Sequence, residues 1–213
     1  MEQYDPPAGP LRVIHQDHEI LAVDKPHGLL SVPGKGPELA DCLLTRVQAE
    51  FPSALLVHRL DRDTSGVMIF ALSPHAQRHL GLQFEKRQLK KVYLAEVWGR
   101  LEGKGIVDLP LNVDWPNRPL QMVDHENGRA AVTEWRAKRS GETSRIELRP
   151  QTGRSHQLRV HMAELGHPIL GDPFYAKGAA LEAAARLMLH AWKLSFRHPD
   201  GGEWLNIRAK QPF

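Results

Sequence analysis

Two apolar runs, Ala54-Leu55-Leu56-Val57 and Val67-Met68-Ile69-Phe70-Ala71, bracket a segment made almost wholly of charged and polar residues. That segment reads His58-Arg59-Leu60-Asp61-Arg62-Asp63-Thr64-Ser65-Gly66. Short runs rich in Leu, Val and Ile predict buried strands. The charges cannot follow those strands into a core, so they must sit on a loop between them. A loop that carries an acid beside two arginines on packed supports is a rigidly held functional site.

The rest of the chain repeats short apolar pieces between turn residues. Residues 11–15 and 19–24 predict two strands, followed by a loop broken by Pro26, Gly28, Pro33, Gly34 and Gly36. Residues 39–51 have helical spacing with Leu43, Leu44 and Val47 on one side, and Pro52 ends the run. Pro74 suits the first turn of a helix reaching about Lys86. Residues 91–98 alternate and predict a strand, and residues 100–128 are dominated by turns. Strands are expected over 130–136, 144–148, 187–196 and 203–209, and helices over 154–165 and 179–186. Without a regular βαβ alternation, this is an α+β protein around a mixed, largely antiparallel sheet. No repeat of solenoid or propeller period is present.

No apolar run reaches the roughly 18 residues of a spanning helix, and the first residues lack the basic and apolar parts of a secretion signal. A single cysteine, Cys42, excludes an internal disulfide, fits a reducing cytosol and reads as a buried small hydrophobe. The formal charge is only +3, but the cations cluster at Lys86-Arg87, Lys90-Lys91, Arg136-Lys138-Arg139 and Arg154 with Arg159. Such clusters can neutralise phosphates, although each could equally be a solvated face.

Several chemistries fail on spacing. Asp61-x-Asp63-x-Ser65-Gly66 begins like a calcium loop, but its twelfth position is Leu72 rather than an acid. His156 and His161 are five apart rather than four, and one thiol cannot build a zinc cluster. No Gly-x-Ser-x-Gly elbow and no glycine-rich phosphate cradle is present. What remains is Asp61 between Arg59 and Arg62: an acid kept ionised as nucleophile or base, or a structural ion pair at a strand end. Thr152-Gly153-Arg154-Ser155-His156-Gln157-Leu158-Arg159 places donors near a helix start suited to an anion, with His156 and Arg159 on one face.

Asp24-Lys25-Pro26-x-Gly28-Leu29, His58 to Gly66, and Thr152 to His161 resemble, in order, the three motifs of the RluA family of pseudouridine synthases. Gly166-His167-Pro168-Ile169-x-Gly171-Asp172 and Leu189-His190-Ala191 extend the likeness over about residues 11–210. The resemblance implies an RNA-modifying isomerase with no cofactor and no metal. It implies a single catalytic domain over 11–213 after an N-terminal extension of residues 1–10, with no S4-type domain. Asp61 is then the catalytic aspartate, Arg159 the arginine that pairs with it, and Tyr93 the residue that stacks on the target base. Leu189 would line the base pocket and Arg59 would fill the gap left by a flipped base. Lys25, Arg62, Arg118 and Arg154 would meet phosphates, with His58 and His156 also on the substrate side. Asp114-Trp115-Pro116-Asn117-Arg118-Pro119 is similar to the branch acting on both tRNA (anticodon-loop uridine at RNA position 32) and 23S rRNA (hairpin uridine at RNA position 746). The partners implied are tRNA and large-subunit rRNA stem-loops, met by a cytoplasmic monomer with no membrane association. A family member with another target, a non-catalytic RNA-binding domain and a hydrolase using the same acid are the alternatives.

Overall fold

The computed structural model describes residues 4–213; the first three residues of the expected N-terminal extension lie outside them. The chain divides into two units. One comprises the described residues up to Lys91 with Ala191–Pro212, the other Val92–His190 with Phe213. The divisions fall inside two strands, β5 (Lys90–Trp98) and β11 (Leu189–Arg197).

In the first unit β1 (Val13–Gln16), β2 (Ile20–Lys25) and β4 (Ser65–Ala71) pair antiparallel in that order. The short β3 (Leu55–Leu56) also pairs with β4, and β12 (Trp204–Arg208) pairs with β11. All seven residues of β4 are buried. A strand covered on both faces reads as an unbroken apolar run rather than an alternating one, which is why Val67 to Ala71 looks as it does. Ile20 and Ala22 of β2 join Val67, Ile69 and Ala71 of β4 in one core with Leu194, Phe196 and Ile207. Ala76 and Leu80 of α2 (Pro74–Glu85) close that core. Pro74 takes the first turn as expected, and the Ser73 Oγ accepts the Ala76 N–H at 3.0 Å as the N-cap.

Helix α1 (Leu43–Glu50) starts four residues later than its spacing suggests. Residues 37–39 form a 3₁₀ turn instead, and Cys42 is the N-cap: its Sγ accepts from Thr45 N while its own N–H donates to Thr45 Oγ1 at 3.1 Å. Cys42 is therefore buried, as expected, and also a capping residue. The described part of the N-terminal extension is tied to this helix region. The Tyr4 hydroxyl donates to Asp41 O at 2.9 Å, and Arg46 Nη1 donates to Pro7 O at 2.8 Å.

The second unit carries β5, β10 (Thr143–Pro150), β9 (Val132–Arg139) and β6 (Lys104–Asp108), antiparallel in that order. The turn-rich stretch also holds a separate hairpin, β7 (Leu111–Val113) with β8 (Gln121–Val123). Ala95, Ile146, Leu148, Ile169 and Leu187 pack with Leu158 and Met162 of α3 (Gln157–Glu164). Two expected helices are shorter than predicted. Helix α3 begins at Gln157, because His156 adopts φ +52 and the Gln157 side chain reaches back. Its Oε1 accepts from Thr152 Oγ1 (2.7 Å) and Arg154 N (3.0 Å), while Nε2 donates to Val132 O (3.0 Å). Leu165, expected as the last helical residue, is the C-cap and is exposed. The other, α4 (Ala179–Glu182), stops early. The carbonyls of Ala184 and Arg186 are turned onto Gly171 so closely that a Cβ there would lie 2.7 and 2.1 Å from them. Tertiary packing overrides alanine propensity there.

Candidate active site

The polar segment is braced in the first unit by residues from β2 and the loop after it. Lys25 closes β2 opposite Gly66. Its fully buried ammonium donates to Leu29 O (2.6 Å), Arg62 O (2.8 Å) and Pro26 O (3.0 Å). An ammonium has three protons and all three are used, so the expected phosphate contact by Lys25 gives way to a structural role. It bolts the loop at Arg62 to the turn at Pro26–Leu29. Burial draws its pKa down to about 7, against the upward pull of Asp63 and Asp61. Ser31 fastens the adjacent residue, its Oγ donating to Leu60 O (2.6 Å) and accepting from Leu60 N (3.1 Å).

Arg62 turns Nε and Nη2 to the buried Asp63, at 2.9 and 3.3 Å, so part of its guanidinium serves the loop before any phosphate. Arg59 is exposed and Asp61 half-buried, in a turn where Asp61 O accepts the Thr64 N–H at 3.2 Å. Gly66 ends the segment at φ +117, and a Cβ there would lie 2.2 Å from Ala191 O. Gly66→Ala should therefore cost about 3 kcal/mol through backbone collision and left-handed strain. Urea unfolding would read this as a lowered midpoint, and an unchanged midpoint would mean that β4 can shift to admit the methyl.

His58, expected at the substrate, faces inward instead. Its Nε2 accepts the Ile69 N–H at 3.0 Å, and its ring stacks on Phe84 with centroids 4.6 Å apart. Burial, and then the nearby Lys91, push its pKa from the ordinary 6.5 to about 3. The unfolded chain thus takes up this proton first as pH falls. The stabilisation from the neutral ring is present above about 6.5 and is lost progressively as pH drops to about 3. His58→Gln should flatten that part of the stability–pH curve. A slope identical to wild type in denaturant titrations would remove His58 as its source.

In the second unit the centre is an ion pair. Arg159 donates Nε (2.8 Å) and Nη2 (2.6 Å) to Asp172, and neither residue is more than 1% exposed. Asp172 also accepts the N–H groups of Phe174 (2.9 Å) and Tyr175 (3.2 Å), while the guanidinium lies 4.9 and 5.2 Å from those two rings. The Tyr175 hydroxyl bonds His156 Nδ1 (2.7 Å) and accepts Gln121 N (2.9 Å). His156 thus precedes the helix rather than sharing a face with Arg159, and meets it through the Phe174–Tyr175 pair. Arg154 Nε donates to Ala130 O at 3.2 Å. Arg118 is exposed, with its guanidinium 4.6 Å from the ring of the exposed Trp115. Leu189 and Leu158 belong to one apolar cluster, and Tyr93 packs against it.

Sequence reasoning missed Asp172 as the partner of Arg159, Ser31 as a brace and Gln157 as the plug of its loop. Asp172 stands in the Gly166–Asp172 stretch that carries the resemblance, but pairing across 13 positions leaves no local signal. Among the described residues no group of three or more His, Cys, Asp or Glu could hold a metal ion, and no helix is long and apolar enough to cross a membrane.

A family model described as RNA pseudouridylate synthase matches residues 19–164. The chain is 50% identical over 217 residues to the dual-specificity RNA pseudouridine synthase RluA of Escherichia coli K12, covering 100% of this chain and 99% of that protein. It is also 50% identical over 204 residues to the protein of the same name from Yersinia pestis, covering 94% and 99%. Among solved structures, human RNA pseudouridylate synthase domain containing 1 matches with a TM-score of 0.81 at 27% identity, over 98% of this chain and 87% of that one. Human RNA pseudouridylate synthase domain containing 4 matches with a TM-score of 0.75 at 26% identity, over 94% and 88%.

Proposed function

Since the chain belongs to the RNA pseudouridylate synthase family, we propose that this isomerase acts on both a tRNA anticodon stem-loop and a large-subunit rRNA hairpin, with Asp61 as its catalytic aspartate. The full-length identity to synthases named dual-specificity is the observation that carries the substrate reading. The bracing of Leu60 and Arg62 supports the residue reading, because a group that must meet a sugar or base repeatedly needs a fixed loop.

The reaction breaks the N1–C1′ bond of uridine, turns the base, and joins C5 to C1′. The C5 proton leaves and N1 gains one, so no oxidant or co-substrate is consumed. Asp61 acts at the sugar or base, and Arg159 partners it, an assignment that rests on the motifs. Asp172 fixes the orientation of the Arg159 side chain through two hydrogen bonds. Tyr93 offers a ring for the extruded base, and Leu189 an apolar wall. A base must leave its stack to be turned over, and Arg59, which is exposed, is the residue we assign to stack in the gap. Arg118 with Trp115, and Arg154, supply RNA contacts, and His156 orients Tyr175 near them. The protein works as a cytoplasmic monomer without metal or cofactor.

Tritium release from transcripts labelled at uridine C5 tests this directly. Release with the base retained in the chain is expected from both the tRNA and the rRNA hairpin. Free base would indicate a hydrolase, and release from one RNA alone would end dual specificity.

A further inference from the structure

Two like-charged pairs stand opposed across strands of the second unit. Arg145 faces Arg139, and Lys104 faces Arg136. Like charges directly opposite on a sheet repel. The first pair is resolved by the buried Glu96, whose carboxylate takes Arg145 Nε at 2.7 Å and Arg139 Nη2 at 3.3 Å. The second pair has no such carboxylate among the described residues. Glu147 lies opposite Arg136 in the register, but its oxygens are held by Lys138 (3.1 Å) and Arg149 (2.9 Å). Glu134 accepts from Gln151 Nε2 at 2.7 Å. Lys104 and Arg136 are exposed, and with Ile106, Glu134, Glu147 and Arg149 they line a cavity of about 470 Å³.

This cavity is remote from the base-stacking residue. Tyr93 pairs with Leu148, while Glu147 and Arg149, one position to either side, point to the other face of the sheet. Glu134 and Glu147 share the concavity but are engaged by Gln151, Lys138 and Arg149, so Lys104 and Arg136, which make no ion pair among the described residues, present their charges at its mouth to an anion from outside. We propose that the Lys104–Arg136 cavity binds a backbone phosphate of the substrate RNA, at a segment beyond the hairpin that holds the target uridine. The inference rests on RNA being the substrate. It assigns to this face a role in reading how the hairpin is embedded, not in the chemistry.

The test compares wild type with Lys104→Ala/Arg136→Ala on full-length RNA and on the minimal hairpin. Affinity for the long RNA should fall about tenfold, and the slope of log affinity against log salt should drop by about 1 to 2. Hairpin affinity and turnover at saturating RNA should stay as in wild type, and the thermal midpoint should not fall, since only repulsion between exposed groups is removed. Unchanged long-RNA affinity and salt slope would overturn the proposal. So would a wild-type thermal shift by inorganic phosphate that the variant loses while RNA binding is intact, because the site would then serve free phosphate. Binding is read without turnover, so absence of isomerisation in wild type would sink the substrate reading and leave this measurement interpretable.

Discussion

Asp61→Asn should leave less than about 10⁻⁴ of wild-type isomerisation while RNA affinity stays nearly unchanged. The substitution keeps the shape of the side chain, removes the charge and turns one acceptor oxygen into an NH2 donor. The loop has supports that the substitution leaves in place: Lys25 holds Arg62 O, Ser31 holds Leu60, and Thr64 N–H bonds the Asp61 carbonyl. Single-turnover tritium release would measure the loss, and filter binding on the same transcripts would measure affinity. Turnover at the wild-type rate would remove Asp61 from the chemistry. A large fall in affinity together with a lowered melting temperature would show that the carboxylate supports the loop instead.

Asp172→Ala should destabilise the protein by about 3–5 kcal/mol, because it strands a buried guanidinium without its counter-charge. Arg159 and Asp172 are both almost fully enclosed, and the lost carboxylate also serves the N–H groups of Phe174 and Tyr175. For a chain of this size that corresponds to a thermal midpoint lower by roughly 6–20 °C. The double change Arg159→Met/Asp172→Leu should recover much of the stability of Asp172→Ala, since no uncompensated charge then remains. Calorimetry on the double variant and on Asp172→Ala, Asp172→Leu and Arg159→Met singly would check this. Additive losses in the double variant would mean that the two side chains are not energetically coupled. Activity separates the structural from the catalytic consequence: the double variant should be folded and still inactive, because Arg159 is gone.

The positions read correctly from the sequence share one property: a local pattern carried them. The apolar runs around His58–Gly66, the Pro74 helix start and the three motifs that carry the family likeness all lie in contiguous stretches whose spacing or order is diagnostic. The α+β class followed from strands without βαβ alternation, and the strand registers in both units are antiparallel. The errors fell where a side chain's role depends on a partner distant in the chain. Lys25 and His58 were assigned to the substrate side with the motifs that hold them, and a motif does not record whether a polar side chain turns inward.

By itself, the sequence determined the class of fold, the family and the order of the motifs, because hydrophobic period and motif spacing are properties of neighbouring residues. Tertiary structure decided which polar groups are spent inside. Three carbonyls consume the Lys25 ammonium, an Ile69 N–H consumes the His58 nitrogen, and Asp172 consumes half of the Arg159 fork. Burial makes each of those hydrogen bonds obligatory, since an unpaired donor or charge inside a protein is costly. Their partners are up to 37 residues away in the chain, and no period or spacing in the sequence records them.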